Sequence, residues 1–74
     1  MTWYEILQKI ADGAGVARAA WGEDGPYIEA EYTDATYTAN GEKFGLHKYD
    51  VDGTDVGMYR PTAEDKAATD WQVV

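Results

Sequence analysis

Two stretches hold the side chains whose types could do chemistry. In VARAAWGEDGPYI a short strand carries Arg18 and Trp21 and then breaks at GEDGP. In RPTAEDKAATDWQVV, Thr62 and Asp65 have the spacing of a capping box, and Asp70 and Trp71 open a closing strand. What these residues offer is recognition. A guanidinium fork grips a phosphate or a carboxylate at two points, and an indole or phenol presents a flat apolar face with one polar tip. Catalysis has no comparable support: the chain lacks G-x-S-x-G, a glycine-rich phosphate loop and a carboxylate pair fixed at helical spacing, so neither an enzyme nor a cofactor site is expected.

Metal chemistry fares no better. Asp50, Asp52 and Asp55 crowd around Gly53, but an EF-hand loop needs Gly at its sixth position and Glu at its twelfth. Counted from Asp50, glycine falls fourth and Pro61 twelfth. His47 is the one histidine and the chain has no cysteine. No metal is therefore expected, and His47 reads as a half-buried, satisfied side chain on a strand.

Composition bounds what must position these groups. The chain has 74 residues, fourteen acidic against six basic, and a formal charge of -8. One domain over 1–74 is expected, burying only about 60% of the surface its unfolded form exposes. With no disulfide or metal to help, association with copies of itself is the expected source of further burial. The sequence shows no apolar run long enough to span a membrane and no basic leader followed by an apolar segment, so a soluble cytoplasmic protein is expected.

The elements read as α+β: an N-terminal amphipathic helix on a small antiparallel sheet with hairpins, a short second helix and a closing C-terminal strand. Thr2 and Glu5 form a capping box ahead of Trp3, Ile6, Leu7 and Ile10, and Gly13 supplies the stop. Val16 to Ala20 and Pro26 to Tyr32 follow as strands. Asn40-Gly41 is a strong hairpin signal. A two-residue Asp52-Gly53 turn would set Val51 opposite Thr54, Tyr49 opposite Val56 and His47 opposite Met58, with Asp50 facing Asp55. Thr62 starts the short helix, and Gln72 to Val74 close the sheet.

An amphipathic helix ending in Gly, then V-x-R-x-x-W, a D-G hairpin, an aromatic, S/T-x-x-D and finally D-W-x-V-V resembles the small phage-encoded Thoeris anti-defence sponges. Arg18, Trp21, Thr62, Asp65, Asp70, Trp71, Val73 and Val74 carry the match, and Tyr59 stands where family members usually have Trp. The resemblance implies a non-catalytic protein that sequesters a cyclic nucleotide immune signal, typically a cyclic ADP-ribose isomer, in the host bacterial cytoplasm. It also implies a homotetramer, a dimer of dimers with pockets at subunit interfaces. Membrane and direct nucleic-acid partners are not expected.

Such a ligand needs an aromatic platform, hydroxyl or backbone partners and a cation. Arg18 would clamp phosphate, Trp21 or Tyr59 would stack on the base, and Thr62 with the N–H groups of its helix start would hold a phosphate oxygen. Arg60 and Asp65 complete the ligand-binding set. Because the net charge opposes an anion, Arg18, Lys43, Lys48 and Arg60 are expected to gather at the pocket. Structural roles compete with each of these. Arg18 serves Asp70 or Asp65 as well as a phosphate, Thr62 and Asp65 serve as caps, Trp21 packs as readily as it stacks, and Trp71 reads as a core plug. A different class of function, an acidic nucleic-acid mimic or anti-CRISPR inhibitor bound directly to a nuclease, would need a contiguous stripe of Asp and Glu. A small structural module with no ligand is the plainest alternative.

Overall fold

The computed structural model describes residues 1–33 and 35–74 and has the expected α+β architecture. Helix α1 (Trp3–Ala11) starts as its sequence dictates: the Thr2 hydroxyl accepts from the Glu5 N–H while the Glu5 carboxylate accepts from the Thr2 N–H. It ends at Gly13, whose φ of 96° turns the chain back so that Ala14 N–H reaches Lys9 C=O and Gly13 N–H reaches Ile10 C=O. Trp3, Ile6, Ile10 and Ala11 form its buried stripe, and Leu7 packs at the margin.

The rest is a six-stranded antiparallel sheet: β1 (Val16–Arg18), β2 (Tyr27–Glu31), β3 (Tyr37–Ala39), β4 (Glu42–Tyr49), β5 (Asp55–Met58) and β6 (Trp71–Val73). Its order is β3-β4-β2-β1-β6, and β5 pairs with β4. The long β4 is the hub: β3 pairs with its first three residues, β2 with its last five and β5 with His47, Lys48 and Tyr49. The first strand is shorter than its sequence suggests. After Arg18 the backbone tightens into a 3-10 turn over Ala19–Trp21, tied down by Ala19 N–H to Asp70 C=O and Ala20 N–H to the Asp70 carboxylate, both 3.0 Å. A five-residue helix α2 (Ala63–Ala67) stands before β6, with its own reciprocal capping box between Thr62 and Asp65.

Alternation along β4 sends Phe44, Leu46 and Lys48 to the α1 side and His47 and Tyr49 to the other. The core lies on the first side, where Ile6, Ile10, Val16, Ile28, Phe44, Leu46 and Trp71 are almost wholly sealed from solvent.

The two hairpins divide on backbone chemistry. Asn40 and Gly41 both take positive φ, 51° and 78°, and form the tight turn their types favour, with Ala39 opposite Glu42. The β4–β5 turn differs from expectation. Gly53 N–H reaches Asp50 C=O and Asp50 N–H reaches Thr54 C=O, so the loop has three residues and Val51 does not face Thr54. A bulge follows in which Val56 is the extra residue: His47 still faces Met58, but Tyr49 faces Asp55 instead of Val56. A one-residue shift moves a side chain to the opposite face. Asp55 is carried away from Asp50 and onto His47, whose Nδ1 lies 3.1 Å from its carboxylate, and the expected repulsion becomes an attraction.

Candidate functional site

The residues singled out in the sequence converge where β1, the 3-10 turn, α2 and β6 meet. Arg18 is the centre. Its Nε donates to Asp70 at 2.9 Å and a terminal nitrogen donates to Asp65 at 3.1 Å, with Glu64 at 3.9 Å; its side chain is only 14% exposed. Of its two alternatives, the guanidinium takes the carboxylates inside its own chain.

Asp65 is the second hub. Its carboxylate accepts from Arg18, from the Tyr59 hydroxyl and from the Thr62 N–H, while its own N–H donates to the Thr62 hydroxyl at 3.1 Å. Its backbone carbonyl accepts the Trp71 indole N–H at 2.9 Å. Burial alone would raise the Asp65 pKa, but donation by Tyr59, Arg18 and Thr62 outweighs it and holds the carboxyl below its ordinary range. Asp70 is held low chiefly by Arg18. Burial, reinforced by the bond to Asp65, pushes the Tyr59 phenol well up, so it stays protonated and donates to that carboxylate. Thr62 and Asp65 thus cap α2, and Trp71, 2% exposed, plugs the core with its N–H satisfied.

Aromatic rings extend this cluster to the surface. Trp71 stands between Trp3, with ring centres 5.2 Å apart, and Trp21 at 5.4 Å; Trp21 in turn meets Tyr59 edge-on at 6.1 Å. Tyr59 is buried and Trp21 half-buried, so Trp21 is the ring of this pair that reaches solvent. A Cβ placed on Gly25 would lie 2.1 Å from the Trp21 carbonyl oxygen, so only glycine lets the GEDGP loop fold back beneath that turn.

The cations do not gather as expected. Lys43 pairs with Thr38 in the β3 half of β4, five residues or roughly 17 Å along the strand from Lys48. Arg60 is exposed and lines a cavity of about 70 Å³ with Tyr37, Met58 and Tyr59. Lys48 alone joins the rings: its Nζ is 5.0 Å from the Trp21 ring centre and 6.0 Å from that of Tyr59. The sequence held a signal for it, a lysine third in the inward series Phe44, Leu46, Lys48.

A groove of about 500 Å³ along α1 and β3, lined by Trp3, Tyr4, Tyr37 and Lys66 among others, was not foreseen either. A cavity of about 120 Å³ lies by Tyr27 and Val74. None of these three cavities is lined by Trp21. Carboxylates elsewhere are engaged locally: Glu5 with Thr2, Glu31 with Thr33, Asp52 with Thr54, and Asp55 with Gly57 and His47. Among the described residues, no group of three or more His, Asp or Glu could hold a metal ion. No helix among them is long and apolar enough to cross a membrane.

Fold and cluster together define a small helix-on-sheet protein whose chain ends are tied by one aromatic and ionic knot. A family model, Tad2-like, the Thoeris anti-defense 2-like domain, matches residues 1–74, and the chain belongs to this family. Its role is phage anti-defence, directed at Thoeris and exercised in the host cell. No curated protein matches the chain in sequence.

Proposed function

We propose that the protein captures a cyclic nucleotide immune signal, a cyclic ADP-ribose isomer, and holds it uncleaved so that the defence effector stays inactive. The observation that carries this reading is the half-buried Trp21, set edge-on against Tyr59 and Trp71 over the bonded lattice of Arg18, Asp65 and Asp70. A ring fixed in that way loses little freedom when a base stacks on it, which favours tight binding. Sequestration needs such binding, because free signal must fall below what the effector requires; a nanomolar Kd, about -12 kcal/mol, is the appropriate scale.

The working form is a homotetramer, a dimer of dimers, with the pocket completed at a subunit interface. Two observations support this. A ligand of this size fits cavities of roughly 300 Å³ or more, whereas the cavity next to Tyr59 and Arg60 holds about 70 Å³, and the groove of about 500 Å³ is lined by neither Trp21 nor Tyr59. Apolar side chains stand exposed at the β4–β5 hairpin and the end of β6: Val51, Val56, Met58, Val73 and Val74. In this arrangement Trp21 and the exposed Arg60 face the ligand, and the buried Tyr59, with Arg18, Thr62 and Asp65, backs them. The internal engagement of Glu5, Glu31, Asp52, Asp55, Asp65 and Asp70 leaves the nucleic-acid mimic with less support.

The test is capture and release. Purified protein is incubated with a panel of cyclic ADP-ribose isomers and cyclic dinucleotides, washed, denatured, and the released compound identified by mass. One panel member should be recovered intact, and Trp21→Ala should lose it while staying folded. Recovery of nothing, or of a hydrolysed product, overturns the reading.

A further inference from the structure

Of the six lysines and arginines, only Arg18 and Lys48 are half-buried, and the other four are exposed. Arg18 is committed to Asp65 and Asp70. Lys48 forms no ion pair among the described residues, and its ammonium rests 5.0 Å from the Trp21 ring centre. Its backbone position is anomalous. Opposite it on β2 is Ile28, fully buried, and its two predecessors on the same face, Phe44 and Leu46, are 0% and 1% exposed. A leucine or methionine there would pack the Trp21 and Tyr59 rings at no desolvation cost. A lysine fills the same space with its stem while delivering a charge to the rim.

The other neighbour of Lys48 is shaped to leave room. Across the β5 pairing stands Gly57, at φ 116°, and a Cβ placed there would meet nothing within 4 Å. A positive charge, an indole and a phenol therefore adjoin one another on a molecule whose net charge is -8.

We propose that the Lys48 ammonium, not the Arg18 guanidinium, is the cation that meets the phosphates of the captured ligand, making Lys48 the residue that selects a pyrophosphate-bearing ring over an uncharged nucleoside. This rests on the sequestration reading above and adds to it a single anion-selecting contact. In the free protein the ammonium is parked on the indole face. A phosphate, offering charge-assisted hydrogen bonds, draws it off the ring and leaves that face to the base.

The experiment compares the full-length wild type, Lys48→Met, Lys48→Gln and Lys48→Arg by equilibrium binding of the cyclic ADP-ribose isomers and of adenosine at about 50 and 200 mM salt, with circular dichroism as the folding control. Wild-type affinity for the phosphate-bearing ring should fall with salt. The Met variant, or Gln if Met misfolds, should bind that ring tenfold or more weaker with a flatter salt response, and adenosine within twofold of wild type. Lys48→Arg should recover most of the loss. A folded Met or Gln variant that binds the ring as the wild type does, with the same salt response, overturns the Lys48 role while leaving sequestration standing. A wild type that binds none of these rings removes sequestration and the Lys48 role together.

Discussion

At the residue scale the decisive group is Asp65, because one carboxylate caps a helix, pairs with an arginine and accepts a buried phenol. Its pKa and that of Asp70 lie below ordinary values. A carboxyl with a depressed folded pKa contributes stability that is complete above its unfolded value, near 3.9, and is lost as pH falls through the folded value. Urea melts should therefore give a flat stability from neutrality down to about pH 5 and a decline below about pH 4. Asp65→Asn should be less stable at pH 7 and decline less steeply in acid; an unchanged acid decline would mean that Asp65 is not the group being titrated. The partners of Arg18 were legible in the sequence as a choice between carboxylate and phosphate. Resolving that choice required the fold, since Asp65 and Asp70 lie 47 and 52 residues away and reach Arg18 only when β6 pairs with β1.

At the element scale, local chemistry wrote the structure wherever a few adjacent residues decide it. Both capping boxes, the Gly13 stop and the Asn40-Gly41 turn form from side chains within five residues of one another. What the sequence did not disclose was the β5 bulge, because a strand of only four residues offers too few alternating positions to fix its register against β4. Its consequence is local, since the bulge carries Asp55 to the other face of the sheet and onto His47. Helix α1 carries the larger capping prediction. Thr2→Ala removes the acceptor for the Glu5 N–H and should cost about 1 kcal/mol in denaturant melts, with ligand capture unchanged. A loss of capture at full stability would instead place the ligand in the groove that Thr2 lines with Trp3 and Tyr4.

At the scale of the whole molecule, small size and high negative charge set the terms. A core of this extent rarely supplies more than roughly 3–5 kcal/mol, and like charges weaken it further. A tetramer that bound the exposed valines and Met58 between subunits would make stability depend on protein concentration. Light scattering should report about four times the mass of one chain, and the melting temperature should rise as concentration is raised tenfold. A monomer with a concentration-independent melting temperature would remove the interfacial pocket. The antiparallel sheet and its helix were foreseeable from capping and alternation alone. How the cations distribute was not, because charge totals carry no spatial information: Lys43 and Lys48 share a strand, yet only one reaches the rings.

Gly25 carries a consequence for how the protein can change over generations of phage and host. Any side chain there would collide with the carbonyl of Trp21 at 2.1 Å, so the collision falls on backbone that cannot step aside. Its neighbours Glu23 and Asp24 are exposed and free to vary in charge and size. A lineage can therefore remodel the rim of this loop freely, but the glycine on which the loop turns is closed to adaptation.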